Sequence, residues 1–112
     1  MLNISERKSN DVTELILEGR FDAMTSASVE DRLGQMMDAG HLKLAVDLGK
    51  TDYISSAGLR VLLAALKRAR ASGGDVRLVI TASHIRHVFE LAGFAQLFRI
   101  FASSEEAVAS FQ

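Results

Sequence analysis

Cysteine, proline and tryptophan are all absent from this sequence of 112 residues. Without cysteine the chain can form no disulfide, no thiolate metal site and no thiol nucleophile. Without proline its turns depend on glycine, asparagine, aspartate and serine. No apolar run approaches the ~20 residues of a membrane-spanning helix, and no basic-then-apolar leader is found at the N-terminus. We therefore expect a cytoplasmic protein that does not insert into a membrane.

The chain also lacks an excess of charge of either sign. Its 13 basic and 14 acidic residues leave a net charge of −1. This balance predicts no nucleic-acid partner, because domains that bind nucleic acid usually carry a strongly basic face. Apolar residues make up 48% of the sequence, which is enough for a hydrophobic core. The length suits one domain, which we expect to span residues 1–112.

Apolar periodicity predicts strands that alternate with helices. The expected elements are, in order, strands over 2–7 and 12–18, a helix that begins between Thr25 and Ser28 and ends at Gly40, a strand over 42–48, a helix over 56–71, a strand over 76–80, a helix capped by Ser83 and ended by Gly93, a weak strand over 99–102, and a helix that Ser103 opens. The first two strands form a hairpin, and residues 19–22 then carry the chain off the sheet. This order predicts an α/β fold with an open, mostly parallel sheet of about five strands and about four helices.

Residues 44–63 combine a buried strand, a polar turn and an amphipathic helix, and the turn contains Ser55 and Ser56. Function in a parallel sheet concentrates at the C-terminal ends of the strands. Ser55, Ser56 and Asp22 should therefore lie along one edge of the sheet. The start of a helix there leaves backbone N–H groups unpaired, and the helix dipole favours negative charge.

Ser56 allows two interpretations. Its hydroxyl can cap the helix, which contributes about 1 kcal/mol, and the residues alone favour this role. It can instead accept a phosphate, which adds close to two negative charges. Arg60, one turn further along, could pair with that phosphate or be an ordinary solvated arginine. Val61 is expected to point away from the core, where it could join Ala57 and Ala64 in a surface for a partner.

Asp22 also has two interpretations, as a cap of the first helix or as a functional carboxylate at the same edge. An enzyme is poorly supported. His84 and His87 stand three apart on a helix and could share a metal, but no third ligand accompanies them. The sequence contains no Gly-x-Ser-x-Gly and no phosphate loop that ends in Gly-Lys-Ser/Thr. We expect no catalytic residue, no metal site and no cofactor.

Two segments resemble the STAS domains found in bacterial anti-sigma factor antagonists. Asp47-Leu48 and the run from Tyr53 to Leu63, Tyr-Ile-Ser-Ser-Ala-Gly-Leu-Arg-Val-Leu-Leu, resemble the signature of that family. Residues 19–22, Gly-Arg-Phe-Asp, resemble its Gly-x-Leu/Phe-Asp. The order of elements fits as well, so the resemblance covers essentially the whole chain.

The resemblance places the phosphorylated serine of the family at Ser56 and its aspartate before the first helix at Asp22. Two positions depart from the family pattern. Ser55 stands where the family has aspartate, and Ala57 stands where it has serine or threonine. The loss of that aspartate removes a negative charge beside the acceptor.

The resemblance implies a partner-switching antagonist. The unphosphorylated protein would bind a serine kinase of the histidine-kinase-like ATPase fold, which is also the anti-sigma factor. Phosphorylation of Ser56 would break the complex, and a PP2C-like phosphatase would restore it. The alternative is a STAS module that is not phosphorylated and serves as an accessory or scaffold subunit of a transporter or signalling complex. The expected partner-binding residues are Asp22, Ser55, Ala57, Gly58, Leu59, Arg60 and Val61.

Overall fold

A computed structural model describes all 112 residues as five strands and four helices. The strands are β1 (Leu2–Ser9), β2 (Val12–Phe21), β3 (Lys43–Ile54), β4 (Asp75–Val79) and β5 (Ile100–Phe101). The helices are α1 (Ser26–Asp38), α2 (Ser56–Ala71), α3 (Ser83–Leu91) and α4 (Ser104–Ala109). The predicted α/β order and the N-terminal hairpin are confirmed. None of the four helices combines the length and the apolar character needed to cross a bilayer.

The sheet has the order β1-β2-β3-β4-β5, with β1 antiparallel to β2 and the other neighbours parallel. Strands that follow one another in this way, joined by right-handed crossovers, place their connecting helices on the same face. The larger core cluster accordingly joins apolar residues of α1, α2 and α3 to alternate residues of the central strands, such as Val46. α4 packs on the opposite face, where Ala107 meets Val12, Ala45 and Val79.

β2 and β3 extend beyond the rest of the sheet. The last pair between β3 and β4 joins Asp47 to Val79, whereas β2 and β3 continue to pair as far as Phe21 and Ile54. The prediction that residues 19–22 leave the sheet is therefore wrong for 19–21. We call this extension (residues 18–21 and 50–54) the β2–β3 arm. Two register shifts between β2 and β3, after Ile16 and after Gly19, accompany it, and at each of them β3 has one extra residue.

The start of α3 takes the place of β4 beside the β2–β3 arm. The Nε2–H group of His84 donates a hydrogen bond of 2.8 Å to the carbonyl oxygen of Asp52. The hydroxyl of Thr81 donates to the carbonyl oxygen of Gly49 at 3.3 Å. These bonds satisfy backbone acceptors that no neighbouring strand reaches. The histidine considered above as a metal ligand thus supports the edge of β3.

The predicted helix ends are largely confirmed. Gly40, Gly73 and Gly93 follow α1, α2 and α3 with positive φ, as glycines that end helices commonly do. At α4 the Ser103 hydroxyl accepts from the Glu106 N–H at 3.2 Å and donates to its carboxylate at 3.0 Å. The predicted cap at Ser83 is wrong, because α3 begins at that residue and the N-cap position belongs to Ala82, which has no capping side chain.

Candidate functional site

The C-terminal ends of β2 and β3 meet at one edge of the sheet. Phe21 pairs with Ile54, and the N–H of Ser55 donates to the carbonyl oxygen of Phe21 at 2.9 Å. Asp22 directly follows Phe21 and Ser56 directly follows Ser55. The structure therefore brings Asp22 and the two serines to a common edge, as the sequence predicted.

Ser55 is the N-cap of α2. Its backbone is extended, with φ −94° and ψ 171°, and its hydroxyl accepts from the N–H of Gly58 at 3.3 Å. The prediction that Ser56 caps the helix is therefore wrong by one residue. β3 stays extended through Ile54, so the helix starts immediately after Ser55 and Ser56 becomes its first residue.

Ser56 is exposed, and its hydroxyl has no hydrogen-bond partner within the protein. It stands where an α-helix presents N–H groups that lack an intrahelical acceptor. The first turn of α2 contains no acidic residue to balance the positive end of the dipole. A hydroxyl at this place is accessible from solvent, and a negative charge on it is electrostatically favoured.

Asp22 caps the turn that leads into α1. Its Oδ1 accepts from the N–H groups of Met24 and Thr25 at 3.0 and 3.1 Å. The Thr25 hydroxyl accepts in return from the Asp22 N–H at 2.9 Å, which gives the reciprocal pattern of a capping box. The N-cap position of α1 itself is Thr25, so Asp22 caps the turn before the helix and not the helix, while it also lies at the edge beside Ser55.

The Asp22 carboxylate is ionised at neutral pH. Partial burial acts to raise its pKa, but the hydrogen bonds from Thr25 and Met24 and the charge of Arg20 outweigh it and lower the pKa of Asp22. The Nε of Arg20 lies 3.6 Å from Oδ2 of Asp22. A negative charge is therefore present at this edge before any modification.

Arg20 and Tyr53 form part of the same surface, and sequence reasoning did not single them out. The Arg20 guanidinium lies 4.2 Å from the centre of the Tyr53 ring, within the range of a cation–π contact. The two residues are partners across the β2–β3 arm. Only the register of the arm reveals this contact, because one of the two register shifts immediately precedes Arg20.

The predicted partner-binding residues of α2 differ in how accessible they are. Ser56 and Arg60 are exposed, whereas Ser55 and Ala57 are half-buried. Gly58 and Leu59 are buried. Val61 is also half-buried and packs against the main core, so the prediction that it points away from the core is wrong. A groove between α2 and α1 is lined by Ala65 and Arg68, which lie on the same side of α2 as Val61. α1 thus covers the side of α2 that the apolar pattern predicted to be exposed.

Gly58 allows α2 to start close against the β2–β3 arm. A Cβ atom there would lie 3.1 Å from Cγ1 of Ile54 and 3.2 Å from the ring of Phe21, and both of those residues are buried. The absence of a side chain at residue 58 thus sets the distance between the start of α2, including Ser56, and the strand ends.

We expect Gly58→Ala to lower the free energy of unfolding by about 1 kcal/mol, because overpacking outweighs the better helix propensity of alanine. The matched control is Gly34→Ala in α1, where an added Cβ meets only the Arg68 guanidinium at 4.0 Å. That variant should be more stable by about 1 kcal/mol. Urea titration of both variants checks the prediction, and a stabilised Gly58→Ala would contradict it.

Comparison with known proteins agrees with the fold and with the motif. A family model described as the STAS domain matches residues 3–107. BtrV of Bordetella bronchiseptica, a candidate anti-sigma factor antagonist, is 38% identical over 96 residues, which cover 86% of this chain and 83% of that protein.

Solved structures share the fold at lower identity. An anti-sigma factor antagonist from Mycobacterium paratuberculosis superposes with a TM-score of 0.91 and 18% identity, covering 98% of this chain and 93% of that one. The Bacillus cell fate determinant SpoIIAA, in its phosphorylated form, gives a TM-score of 0.76 at 16% identity over the full length of both chains. Because the STAS domain model matches residues 3–107, nearly the whole sequence, this chain belongs to the STAS domain family.

Proposed function

We propose that this protein is an anti-sigma factor antagonist whose partner binding is controlled by phosphorylation of Ser56. One observation carries the proposal. Ser56 is the exposed first residue of α2, and Ser55 takes the capping role that would otherwise occupy its hydroxyl. The similarity to BtrV supports the general role.

In the unmodified state the protein binds a serine kinase of the histidine-kinase-like ATPase fold, which is also the anti-sigma factor. The binding surface is the exposed start of α2 with Ser56 and Arg60, the half-buried Ala57 and Ser55 beside them, and Asp22 across the edge. Three residues lie between this surface and the core, because they are buried or pack against the core: Gly58, Leu59 and Val61. Occupation of the kinase by the antagonist releases the sigma factor.

The kinase transfers the γ-phosphoryl group of ATP to Ser56. The Oγ–P bond forms as the bond between the γ-phosphorus and the β,γ-bridging oxygen breaks, ADP leaves, and the hydroxyl proton is released to solvent. The new group carries close to two negative charges at pH 7. Burying such charge against a partner without compensation is costly, and several kcal/mol of differential affinity are enough to move a two-state equilibrium decisively. The complex therefore separates.

The fold itself tolerates the phosphate. Negative charge at the start of a helix is stabilised by the helix dipole, and no acidic residue of the first turn of α2 opposes it. SpoIIAA, a protein of the same fold, was determined in a phosphorylated form. A PP2C-like phosphatase hydrolyses the phosphoserine and restores binding, and we place this cycle in the cytoplasm. The protein acts as ligand and substrate, not as a catalyst.

Phosphorylation with the partner kinase tests the proposal. The tagged protein captures its partner from the native cell, and the complex is incubated with Mg²⁺ and ATP. Intact-mass and peptide spectra should show one phosphate on Ser56, none on Ser56→Ala, and one on the matched variant Ser55→Ala, which loses only the cap. An unmodified wild-type protein would contradict the proposal, and capture of a transporter ATPase in place of a kinase would favour an accessory subunit.

A further inference from the structure

We propose that Arg60 is the intramolecular counter-ion of phosphorylated Ser56, which holds the phosphate against α2 and keeps it fully ionised. The inference rests on the proposed function for its role in the cell. Its physical content is an ion pair between residues four apart on one helix.

Arg60 differs from every other arginine of the chain, because it alone has no ionic or aromatic partner. Arg7 pairs with Glu14, Arg20 with Asp22 and Tyr53, Arg32 with Glu6, Arg68 with Asp38, Arg70 and Arg77 with Asp75, Arg86 with Glu90, and Arg99 lies over Phe101. An exposed guanidinium in a chain that pairs its other arginines is available for a ligand that the unmodified protein lacks.

The position of Arg60 is electrostatically unfavourable in the unmodified protein. α2 contains no acidic residue at all, so no carboxylate of its own helix can pair with Arg60. Arg60 lies one turn from the positive end of the helix dipole, where cations are not stabilised. The charges of α2 therefore give Arg60 no ionic partner, whereas an anion at the start of the helix would give it one.

Ser56 and Arg60 have the spacing that brings two helical side chains together. Residues four apart lie on the same face of a helix, one above the other, and both are exposed. A guanidinium can donate two parallel hydrogen bonds to phosphate oxygens. The guanidinium of Arg60 can therefore reach a phosphate on Ser56 by side-chain rotation alone.

The other charged groups at this edge are not available to pair with a phosphate on Ser56. Arg20 already pairs with Asp22 and stacks on Tyr53. Asp22 is ionised and repels a phosphate. Arg60 is thus the one cation at the start of α2 that is not engaged elsewhere.

The pairing has a consequence for the switch. Free phosphoserine has a second pKa of about 6, so a part of it is a monoanion near neutral pH. An adjacent guanidinium favours the dianion and lowers that pKa. Arg60 would thus give the modified protein its full change of charge at the pH of the cell.

The test places phosphoserine directly at position 56 by genetic-code expansion, without any kinase. Phosphorus-31 NMR then follows the phosphate against pH at an ionic strength of about 0.1 M, where the screening length is about 10 Å. We expect the second pKa of the phosphate to be lower by about 0.5 in the otherwise wild-type protein than in Arg60→Gln. Arg60→Lys should retain most of the difference, because the charge is kept.

Lys67→Gln is the matched control. It removes the same charge from the same face of α2, but Lys67 lies about 16 Å along the helix from Ser56, farther than the screening length. The phosphate of this variant should therefore titrate as in the wild type. Equal pKa values in the wild type and Arg60→Gln, or an equal change in Lys67→Gln, would overturn the inference. Because the phosphate is introduced without the kinase, that outcome would leave the identification of Ser56 as the acceptor untouched.

Discussion

Ser56→Asp is expected to weaken binding of the partner kinase by about 100-fold, which corresponds to ~2.7 kcal/mol. The substitution places a permanent carboxylate on an exposed residue at the centre of the proposed surface. A charge that is buried in an interface without a partner costs several kcal/mol. Aspartate has fewer charges and fewer acceptor oxygens than phosphoserine, so this loss is smaller than that from true phosphorylation. Titration calorimetry with the purified kinase measures it.

Ser56→Ala is the matched variant for that experiment. The Ser56 hydroxyl bonds to no group of the protein, and the cap of α2 belongs to Ser55. Its removal should therefore leave the fold unchanged, as expected for an exposed residue without special contacts. The affinity should stay within about threefold of that of the wild type. Equal affinities of Ser56→Asp and Ser56→Ala would show that Ser56 lies outside the interface.

Arg7→Met should lower the free energy of unfolding by about 2 kcal/mol at pH 7, because it leaves the buried carboxylate of Glu14 without its half-exposed charged partner. Glu14 lies on the sheet face opposite the three packed helices, and its side chain is only 2% exposed. Arg7 donates to both carboxylate oxygens, at 3.0 and 2.9 Å. The same contact raises the pKa of the Arg7 guanidinium. Without Arg7 only the Ser9 hydroxyl remains, at 3.1 Å.

Urea unfolding of two further variants identifies the cause of that loss. The double variant Arg7→Met/Glu14→Gln should recover most of the loss, because no unpaired charge remains. Arg32→Met breaks the more exposed pair with Glu6 and should cost less than about 1 kcal/mol. A similar loss in Arg7→Met and Arg32→Met would contradict a buried charge at Glu14.

The order of strands and helices could be predicted because apolar periodicity and terminal glycines mark it at many places. Gly40 and Gly93 end their helices where the pattern predicted, and Ser103 opens α4. The β2–β3 arm could not be predicted in the same way. Lys50, Thr51 and Asp52 interrupt the apolar run of β3, because the arm has no β4 beside it.

The N-cap of α2 was predicted one residue too late, and this difference decides which of the two serine hydroxyls is free. Ser55 and Ser56 are both acceptable N-caps by composition, so periodicity cannot choose between them. The choice depends on how far β3 remains extended, which is a property of its pairing with β2. The burial of Val61 was predicted wrongly for a related reason. The row of leucines along α2 predicts which side of the helix faces the sheet, but it does not predict the further contact of α2 with α1.

The affinity of one purified kinase for the unmodified protein and for the protein phosphorylated on Ser56 tests the central claim most directly. Both forms are measured side by side by titration calorimetry, and the modified form is measured again after treatment with a phosphatase. The account predicts binding by the unmodified form, a loss of at least about 100-fold on phosphorylation, and full recovery once the phosphate is removed. Equal affinities of the two forms would contradict it.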